Sequence, residues 1–185
     1  YGASVENCIN PVDITYTELG RCVGGIAGLM HADSGDVKIA QCFSAAEISA
    51  SADNAGGIAG CCKVTDGDSS VFNSYFSGSA AGGNDESVGG ITGVLECANG
   101  EGVVNVLYCV ALESSAPTLT GMILADRMSV KSVKTATADE MKTEEVFESY
   151  DFDAVWDFDN SSDYDFPVLL AVELAEYSHK EDSSL

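Results

Sequence analysis

Basic side chains are scarce in this chain. Its 185 residues include eight Lys and Arg against 30 Asp and Glu, which gives a formal net charge of -22 at pH 7. Proteins that bind nucleic acid or anionic membrane surfaces use clustered Lys and Arg to neutralise phosphate. The composition therefore argues against both partners. It is typical of a well-solvated secreted or surface protein, and it also suits one that binds divalent cations or a cationic partner.

Long hydrophobic runs and histidines are lacking as well. No apolar stretch reaches the roughly 20 residues that a membrane-spanning helix needs. The segment at Tyr1 has no basic stretch followed by an apolar one, so it does not read as a signal peptide. Because the chain begins inside a repeat unit, we expect it to be a mature product or a fragment of a longer protein. His31 and His179 are the only histidines. His31 follows an apolar strand at a turn and His179 sits in a polar tail, so a Ser/His/Asp or Cys/His triad has little support.

Glycine, in contrast, is abundant and regularly placed. The pentad Gly-Gly-apolar-small-Gly occurs at residues 24–28, 56–60 and 89–93, in steps of 32 and 33 residues. A fixed period of this length predicts a repeat architecture in which each unit buries its apolar face on its neighbours. No helical pattern follows any pentad, so a phosphate-binding loop is rejected. We expect the glycines to lie at sharp turns or where neighbouring coils approach closely.

Other positions share this period. Turn-forming stretches of Asp or Asn with Gly follow each pentad, at 33–36, 66–68 and 99–101, and β-branched runs such as 37–43 and 103–108 favour short strands. Amide side chains recur at a related spacing, and stacked coils would place them above one another as a hydrogen-bonded ladder. These residues are Asn7, Gln41, Asn73 and Asn105. We also expect three aromatic residues of the repeats to lie in the core rather than on a ligand-binding face: Tyr75, Phe76 and Tyr108.

The pattern Val-Gly-Gly-Ile-Thr-Gly at 88–93, together with Asn-Ser-Tyr-Phe-Ser-Gly at 73–78, resembles the GLUG-motif repeat family. The resemblance covers roughly residues 5–110, and the segment from about 137 to 170 looks like the one that often closes such arrays. Ile stands where the family usually has Leu, which leaves the packing unchanged. The resemblance implies a bacterial secreted or cell-surface protein of adhesin-like type. The family has no catalytic residues assigned to its repeat, so the resemblance implies none here.

The seven cysteines allow several interpretations. Cys8 and Cys42 occupy equivalent repeat positions, and Ser74 replaces them in the next unit, which predicts a small, buried, stacked position. Cys61 and Cys62 are adjacent, and neighbours in a strand point to opposite faces. We favour packing as small hydrophobic side chains. At least one disulfide is the second possibility, and the absence of paired Cys-x-x-Cys spacing argues against a metal site.

The last third of the chain differs in composition. Residues 119–124 read as a degenerate final coil, and 127–135 as a connection. Thr137 and Glu140 form a capping-box pattern that predicts a short helix over 138–147. Residues 137–175 are predicted to cap the open edge of the terminal coil. The core of this cap would consist of Trp156, Phe152, Phe158 and Phe166.

Six aspartates accompany these aromatic residues: Asp151, Asp153, Asp157, Asp159, Asp163 and Asp165. A calcium-binding loop that starts at Asp157 would lack both the turn glycine, replaced by Ser162, and the bidentate Glu, replaced by Val168. We prefer a solvated acidic face with the aromatic residues directed inward.

The sequence thus predicts a mainly β fold, a β-solenoid of three to four coils of about 32 residues with a small C-terminal α+β cap. Residues 1–125 would form the GLUG-like repeats, and 126–185 a linker, a short helix and the capping segment. We expect a non-enzymatic structural or adhesin-like module that presents loops to glycans or to host or bacterial surface proteins, as part of a larger parent chain. It would need no cofactor or metal, and no catalytic residue is assigned. A polysaccharide-acting β-helix enzyme, dependent on carboxylates or calcium, is the alternative.

Overall fold

The computed structural model describes residues 2–17, 22–51, 54–98, 100–158 and 165–170. Short strands follow one another along nearly the whole of this length. In chain order they are β1 (Ala3–Glu6), β2 (Ile9–Asn10), β3 (Ile14–Tyr16), β4 (Val23–Gly24), β5 (Ala27–Ala32), β6 (Val37–Ala40), β7 (Phe43–Ser44), β8 (Glu47–Ala50), β9 (Ala55–Gly56), β10 (Ala59–Val64), β11 (Ser69–Phe72), β12 (Tyr75–Phe76), β13 (Ser79–Ala81), β14 (Val88–Cys97), β15 (Val104–Leu107), β16 (Val110–Leu112), β17 (Thr118–Leu124), β18 (Met128–Lys131), β19 (Lys134–Ala136), β20 (Trp156–Asp157) and β21 (Val168–Leu169).

Strands β1 to β19 stack into four parallel sheets, which form the sides of a β-solenoid of about four turns. Sheet I has the order β1-β6-β11-β15-β18, and sheet II the order β2-β7-β12-β16-β19. Sheet III contains β3, β8 and β13, and sheet IV contains β4, β5, β9, β10, β14 and β17. We call the successive turns coils 1 to 5. Coil 5 contributes only β18 and β19. The predicted β-solenoid is confirmed.

The coils are not all of one length. The Cα pairs Ala3–Val37, Val37–Ser69, Ser69–Val104 and Val104–Met128 set successive coils 34, 32, 35 and 24 residues apart. Coil 4 is short because residues 113–117 connect sheet II directly to sheet IV without a strand in sheet III. Residues 127–135, predicted as a connection, instead supply strands to sheets I and II. The division of the chain near residue 125 stays a prediction, although solenoid strands extend to Ala136.

A left-handed corner joins sheets I and II in every coil. The corner residues have φ values of 45–55°, and they are Asn7, Gln41, Asn73, Tyr108 and Ser132. Asn tolerates this conformation better than most residues, which explains its presence here. The predicted amide ladder is wrong for Asn105, which pairs with Ser70 within sheet I and donates to its Oγ atom at 3.3 Å. Asn73 is stacked as predicted, but its Nδ2 donates to the Ser149 carbonyl at 2.8 Å and its buried Oδ1 accepts no hydrogen bond from a neighbouring amide among the described residues. The connection from coil 3 to coil 4 is longer than the others, so a constant period misplaces Asn105 by three residues.

The glycines of the pentads lie at close approaches between backbones, as predicted. A Cβ atom on Gly24 would lie 2.5 Å from the backbone nitrogen of Gly60 in the next coil. A Cβ atom on Gly56 would likewise lie 2.7 Å from the backbone nitrogen of Gly93. The first glycine of one pentad therefore contacts the last glycine of the next. The second glycine faces sheet II across the interior, where a Cβ on Gly57 would overlap the ring of Phe76.

Coil 4 keeps only part of this pattern. Gly121 occupies the position of the last glycine, because a Cβ on Gly89 would lie 2.8 Å from its nitrogen. Thr118 is paired with Gly89 and so stands where the first glycine would be. No strand of the described residues stacks beyond β17 in sheet IV, so a side chain is accommodated there. Residues 119–124, predicted as a degenerate final coil, lie in β17 of coil 4, but they are not the last turn because β18 and β19 of coil 5 follow.

The segment after Ala136 begins at the predicted capping box. The Thr137 N–H donates to Glu140 Oε2 at 2.8 Å, and the Glu140 N–H donates to Thr137 Oγ1 at 3.3 Å. The helix predicted over 138–147 is wrong, because two 3-10 turns, Glu140–Lys142 and Glu144–Val146, take its place. Thr143 lies between them with extended backbone (φ -130°, ψ 150°), which interrupts any longer helix.

This segment packs sideways against the solenoid. Trp156 is fully buried, with ring centroids 5.7 Å from Tyr75 and 6.2 Å from Phe43. Phe152, Phe158 and Phe166 are partly buried in the same cluster, as predicted for the cap core. However, the prediction that it covers the open edge of the last coil is wrong for the described residues. The segment lies on the outer face of sheet II, where large side chains project from coils 2 and 3.

Candidate functional surfaces

Acidic side chains concentrate at the turns between sheets IV and I. Asp36 Oδ1 accepts a hydrogen bond from the Asp68 N–H at 3.0 Å, and Asp68 Oδ1 accepts one from the Val103 N–H at 2.9 Å. Asp66 Oδ1 accepts from the Glu101 N–H at 3.4 Å. Each of these carboxylates therefore bonds to the backbone of the following coil. The arrangement accounts for the acidic turns structurally and does not gather the carboxylates around a common ligand position.

The aspartates of the C-terminal segment are directed outward where they are described. Asp151, Asp153 and Asp157 are exposed, while Trp156 between them is buried. Asp151 Oδ1 accepts hydrogen bonds from the N–H groups of Asp153 and Ala154 at 3.0 and 2.9 Å. This is the predicted solvated acidic face.

The alternative calcium loop cannot be placed in the same way, because Asp159, Ser161, Ser162 and Asp163 lie outside the described residues. Asp165 is described, and it forms an ion pair with Lys142 at 2.8 Å. Within the described ranges, no group of three or more His, Cys, Asp or Glu side chains could hold a metal ion.

Of the two histidines, His31 lies within the described residues. His31 is exposed on β5, in register with Lys63 of β10. Lys63 in turn forms an ion pair with Glu96 of β14 at 2.6 Å. His179 lies outside the described residues.

The outer face of sheet I carries charged side chains beside aromatic rings. Lys38 forms an ion pair with Glu6 of the preceding coil and lies 5.5 Å from the ring centroid of Phe72 in the following coil. At the end of the sheet the Lys131 ammonium donates to Tyr108 Oη at 2.7 Å, and this hydrogen bond raises the pKa of Lys131. Tyr75 and Phe76 are buried as predicted, whereas the prediction for Tyr108 is wrong because it belongs to this half-buried corner.

One row of small side chains lies just after the corner residues, and we call it the corner row: Cys8, Cys42, Ser74 and Cys109. The Cys8 N–H donates to Cys42 Sγ at 3.4 Å, and the Cys42 N–H donates to Ser74 Oγ at 3.2 Å. Each side chain also donates to the carbonyl two residues earlier, as Ser74 does to Phe72 at 3.0 Å. The predicted small, stacked position is confirmed. Burial raises the pKa values of Cys42 and Cys109 to about 12.

The structure contains one disulfide among its described residues, between Cys22 and Cys61. It joins coil 1 to coil 2 on sheet IV. Cys62, the neighbour of Cys61, points into the core beside Met30, which confirms that the two adjacent cysteines face opposite ways. Burial also raises the pKa of Cys62 to about 12. Packing and a disulfide, the two alternatives drawn from the sequence, therefore both occur.

The ends of the solenoid carry nearly all of the exposed large hydrophobic side chains. Of nine such residues in the described ranges, four lie in coil 1 and four in coils 4 and 5. The coil 1 group is Val5, Val12, Tyr16 and Leu29, and the other is Ile123, Leu124, Met128 and Val130. Their exposure follows from position, because a terminal coil has a neighbour on one side only. Such edges are surfaces on which further β-structure can pair.

Comparison with known proteins adds no relative. No protein-family model matches the chain, and no curated protein or solved structure shows significant similarity to it. The resemblance to GLUG repeats rests on the quoted motifs and stays a prediction. No helix within the described residues is long and apolar enough to cross a membrane.

Two features of these surfaces escaped the sequence reasoning. The Cys22–Cys61 disulfide joins residues 39 positions apart, and nothing in the spacing of seven cysteines selects that pair. The position of the C-terminal segment, in contrast, could have been inferred from a pattern in the sequence. In each of coils 1 to 4 a large apolar residue follows the corner row, and two of these are Phe43 and Tyr75. A strand that alternates small and large apolar residues has two buried faces, so a second layer must cover one of them.

Proposed function

We propose that this protein is a non-enzymatic structural or adhesin-like binding module of a bacterial secreted or cell-surface protein. The observation that carries the proposal is that polar groups bond between neighbouring coils. The acidic turn residues bond to the backbone of the next coil, and the ion pairs Lys38–Glu6 and Lys63–Glu96 link side chains on neighbouring coils. These groups hold the solenoid together, which leaves its loops and its two ends for contact with partners.

Rigidity supports this role. Four parallel sheets share one continuous core, in which Ile58, Ile91 and Leu95 are fully buried. Loops carried by such a scaffold are held at fixed spacing along its axis. One described loop, residues 82–87, is held by Asn84, whose Oδ1 atom accepts from the Glu86 N–H at 3.1 Å. Asp85 and Glu86 are exposed on it.

The GLUG-like motifs support the bacterial surface setting, and the acidity of the chain suits it. Glycans and surface proteins are the partners this setting offers. The polysaccharide-acting enzyme is kept as an outcome of the test, because it would bind the same class of sugar and then release products.

The experiment places the purified chain on an array of mucin, plant and bacterial polysaccharides, with calcium and with a chelator. Saturable binding to one sugar class, without new reducing ends in product analysis, is the expected result. Release of products would replace the module with the enzyme. Absence of binding in both conditions would contradict glycan recognition and leave a spacer or a protein-binding module.

Two variants locate the binding surface. Asp85→Ala with Glu86→Ala changes the 82–87 loop, whereas Val130→Glu places a charge on the exposed edge of β18. Loss of binding in the loop variant alone supports presentation by loops. Loss in the edge variant alone shows that the partner pairs with the end of the solenoid instead.

A further inference from the structure

Coil 1 is a terminal coil and stacks on coil 2 alone. All four residues of β1 are exposed, whereas the equivalent strand of coil 3, β11, alternates buried and half-buried residues. Strand β1 pairs with β6 alone. Coil 1 is therefore prone to fray, since a terminal repeat lacks one stacking neighbour.

Both cysteines of coil 1 lie against cysteines of coil 2. Cys22 is bonded to Cys61 on sheet IV. Cys8 lies at the other side of the coil, in the corner row, directly over Cys42. Cys8 and Cys42 are both free thiols in the structure.

The backbone fixes this second pair in register. The Asn7 N–H donates to the Ala40 carbonyl at 3.2 Å, and the Phe43 N–H donates to the Cys8 carbonyl at 3.0 Å. The Cys8 N–H itself donates to Cys42 Sγ at 3.4 Å. Stacked strands lie about 4.8 Å apart, and this falls inside the range of about 4.4–6.8 Å that a disulfide requires between Cα atoms.

We propose that Cys8 and Cys42 form a second disulfide between coils 1 and 2 in an oxidising environment, which makes this corner a site of thiol oxidation. Together with Cys22–Cys61, the bond clamps coil 1 to coil 2 on two sides. The two crosslinks then stabilise the exposed first coil, as a covering layer would. This inference concerns the chain itself and does not depend on the proposed binding role.

The oxidant is a low-molecular-weight disulfide such as oxidised glutathione. The Cys8 thiolate attacks one of its sulfurs, so a mixed disulfide forms and one glutathione thiolate leaves. The Cys42 thiolate then displaces the second glutathione thiolate and forms the Cys8–Cys42 bond. Two electrons pass to the glutathione sulfurs, and the two cysteine protons are released to the leaving thiolates. Cys8 reacts first with oxidised glutathione because it is partly exposed while Cys42 is buried.

The remaining members of the corner row provide the control. Ser74 separates Cys42 from Cys109, so Cys109 has no thiol neighbour in the row. Replacing Cys8 by Ser is conservative, since Ser74 already fills the same position with its hydroxyl bonded to a carbonyl and a backbone N–H. Cys8→Ser should therefore fold.

The test equilibrates the full chain in glutathione buffers of graded redox ratio at pH 8, alkylates free thiols and maps the peptides by mass spectrometry. A Cys8–Cys42 peptide pair is expected in the wild type and in Cys109→Ser, and is absent from Cys8→Ser. Oxidised wild type should have a Tm roughly 5–10 °C above that of oxidised Cys8→Ser, and the difference should vanish after reduction.

Three results would overturn the proposal. The first is alkylation of both Cys8 and Cys42 in buffers that keep Cys22–Cys61 oxidised. The second is a crosslink from Cys8 to a second molecule in place of Cys42. The third is an equal Tm for oxidised wild type and oxidised Cys8→Ser.

Discussion

In coils 2 and 3 every strand except β13 is joined to a strand on each side by parallel backbone hydrogen bonds, and glycines bring the chains into direct backbone contact. Residues 137–158 and 165–170 are different. Their one strand pair is antiparallel and two residues long, Trp156–Asp157 with Val168–Leu169. They attach to the solenoid through aromatic rings instead. The comparison shows that close backbone contacts hold the coils together along the solenoid axis, whereas side-chain packing holds the C-terminal residues against the side of the solenoid.

Breaking the backbone contact should have the largest effect. In Gly57→Ala the added methyl overlaps the Gly90 carbonyl oxygen and the Phe76 ring, both of which are held by their own coils. We expect a loss of roughly 3 kcal/mol or more in the free energy of unfolding, or failure to fold. Urea unfolding followed by circular dichroism measures it.

Gly90→Ala is the matched control. Its methyl would lie 2.8 Å from the Ala111 Cβ and 3.1 Å from Ser115 Oγ, whereas a methyl on Gly57 would lie closer than this to both the Gly90 carbonyl oxygen and the Phe76 ring. A smaller loss is expected. Equal losses in the two variants would contradict the view that backbone contact distinguishes these glycines.

Removing the central aromatic ring tests the other region. Trp156→Ala leaves a cavity between Phe43, Tyr75 and Tyr150, and should cost roughly 3–5 kcal/mol locally. We expect limited proteolysis to cleave after Ala136 while the β signal in circular dichroism persists. Phe152→Ala, at the half-buried rim of the cluster, should have less effect. A single cooperative loss of both regions would show that the solenoid depends on the segment.

Hydrogen bonding in the cluster gives a finer comparison. Tyr75 Oη donates to the Pro167 carbonyl at 2.6 Å, so Tyr75→Phe should cost about 1 kcal/mol. The hydroxyl of Tyr150 is buried without a partner among the described residues, and burial raises its pKa well above the usual value. Tyr150→Phe should therefore be neutral or stabilising. The Tm of each variant, measured in thermal melts, tests both expectations. A lower Tm for Tyr150→Phe would show that this hydroxyl has a hydrogen-bond partner.

The smallest effect is expected at the capping box. Hydrogen bonds from the backbone and then the side chain of Thr137 lower the pKa of Glu140 from its usual 4.5. A lowered pKa in the folded state stabilises the fold above about pH 4.5, and this contribution is lost as pH falls through the lowered value. NMR titration of the carboxyl should show the low pKa in the wild type and a rise in Thr137→Ala. An unchanged pKa in that variant would place the cause elsewhere.

Sequence reasoning reached the solenoid because the pentads report contacts that repeat from coil to coil. It missed the position of Asn105 because the turn between β14 and β15 changes the period once. The 3-10 turns near Met141 were missed because the capping box predicts where a helical turn starts and not whether tertiary packing continues it. The docking of Trp156 on Phe43 depends on residues more than 100 positions apart, and local pattern carries no such information.

Thr118 has a consequence for how such proteins lengthen. A coil that begins its pentad with glycine leaves room for the last glycine of a following coil, whereas Thr118 fills that room with a side chain. We therefore expect an additional unit of about 32 residues to be accommodated between coils 1 and 3, where it would meet glycines on both sides. A unit stacked on β17 would meet the Thr118 side chain instead.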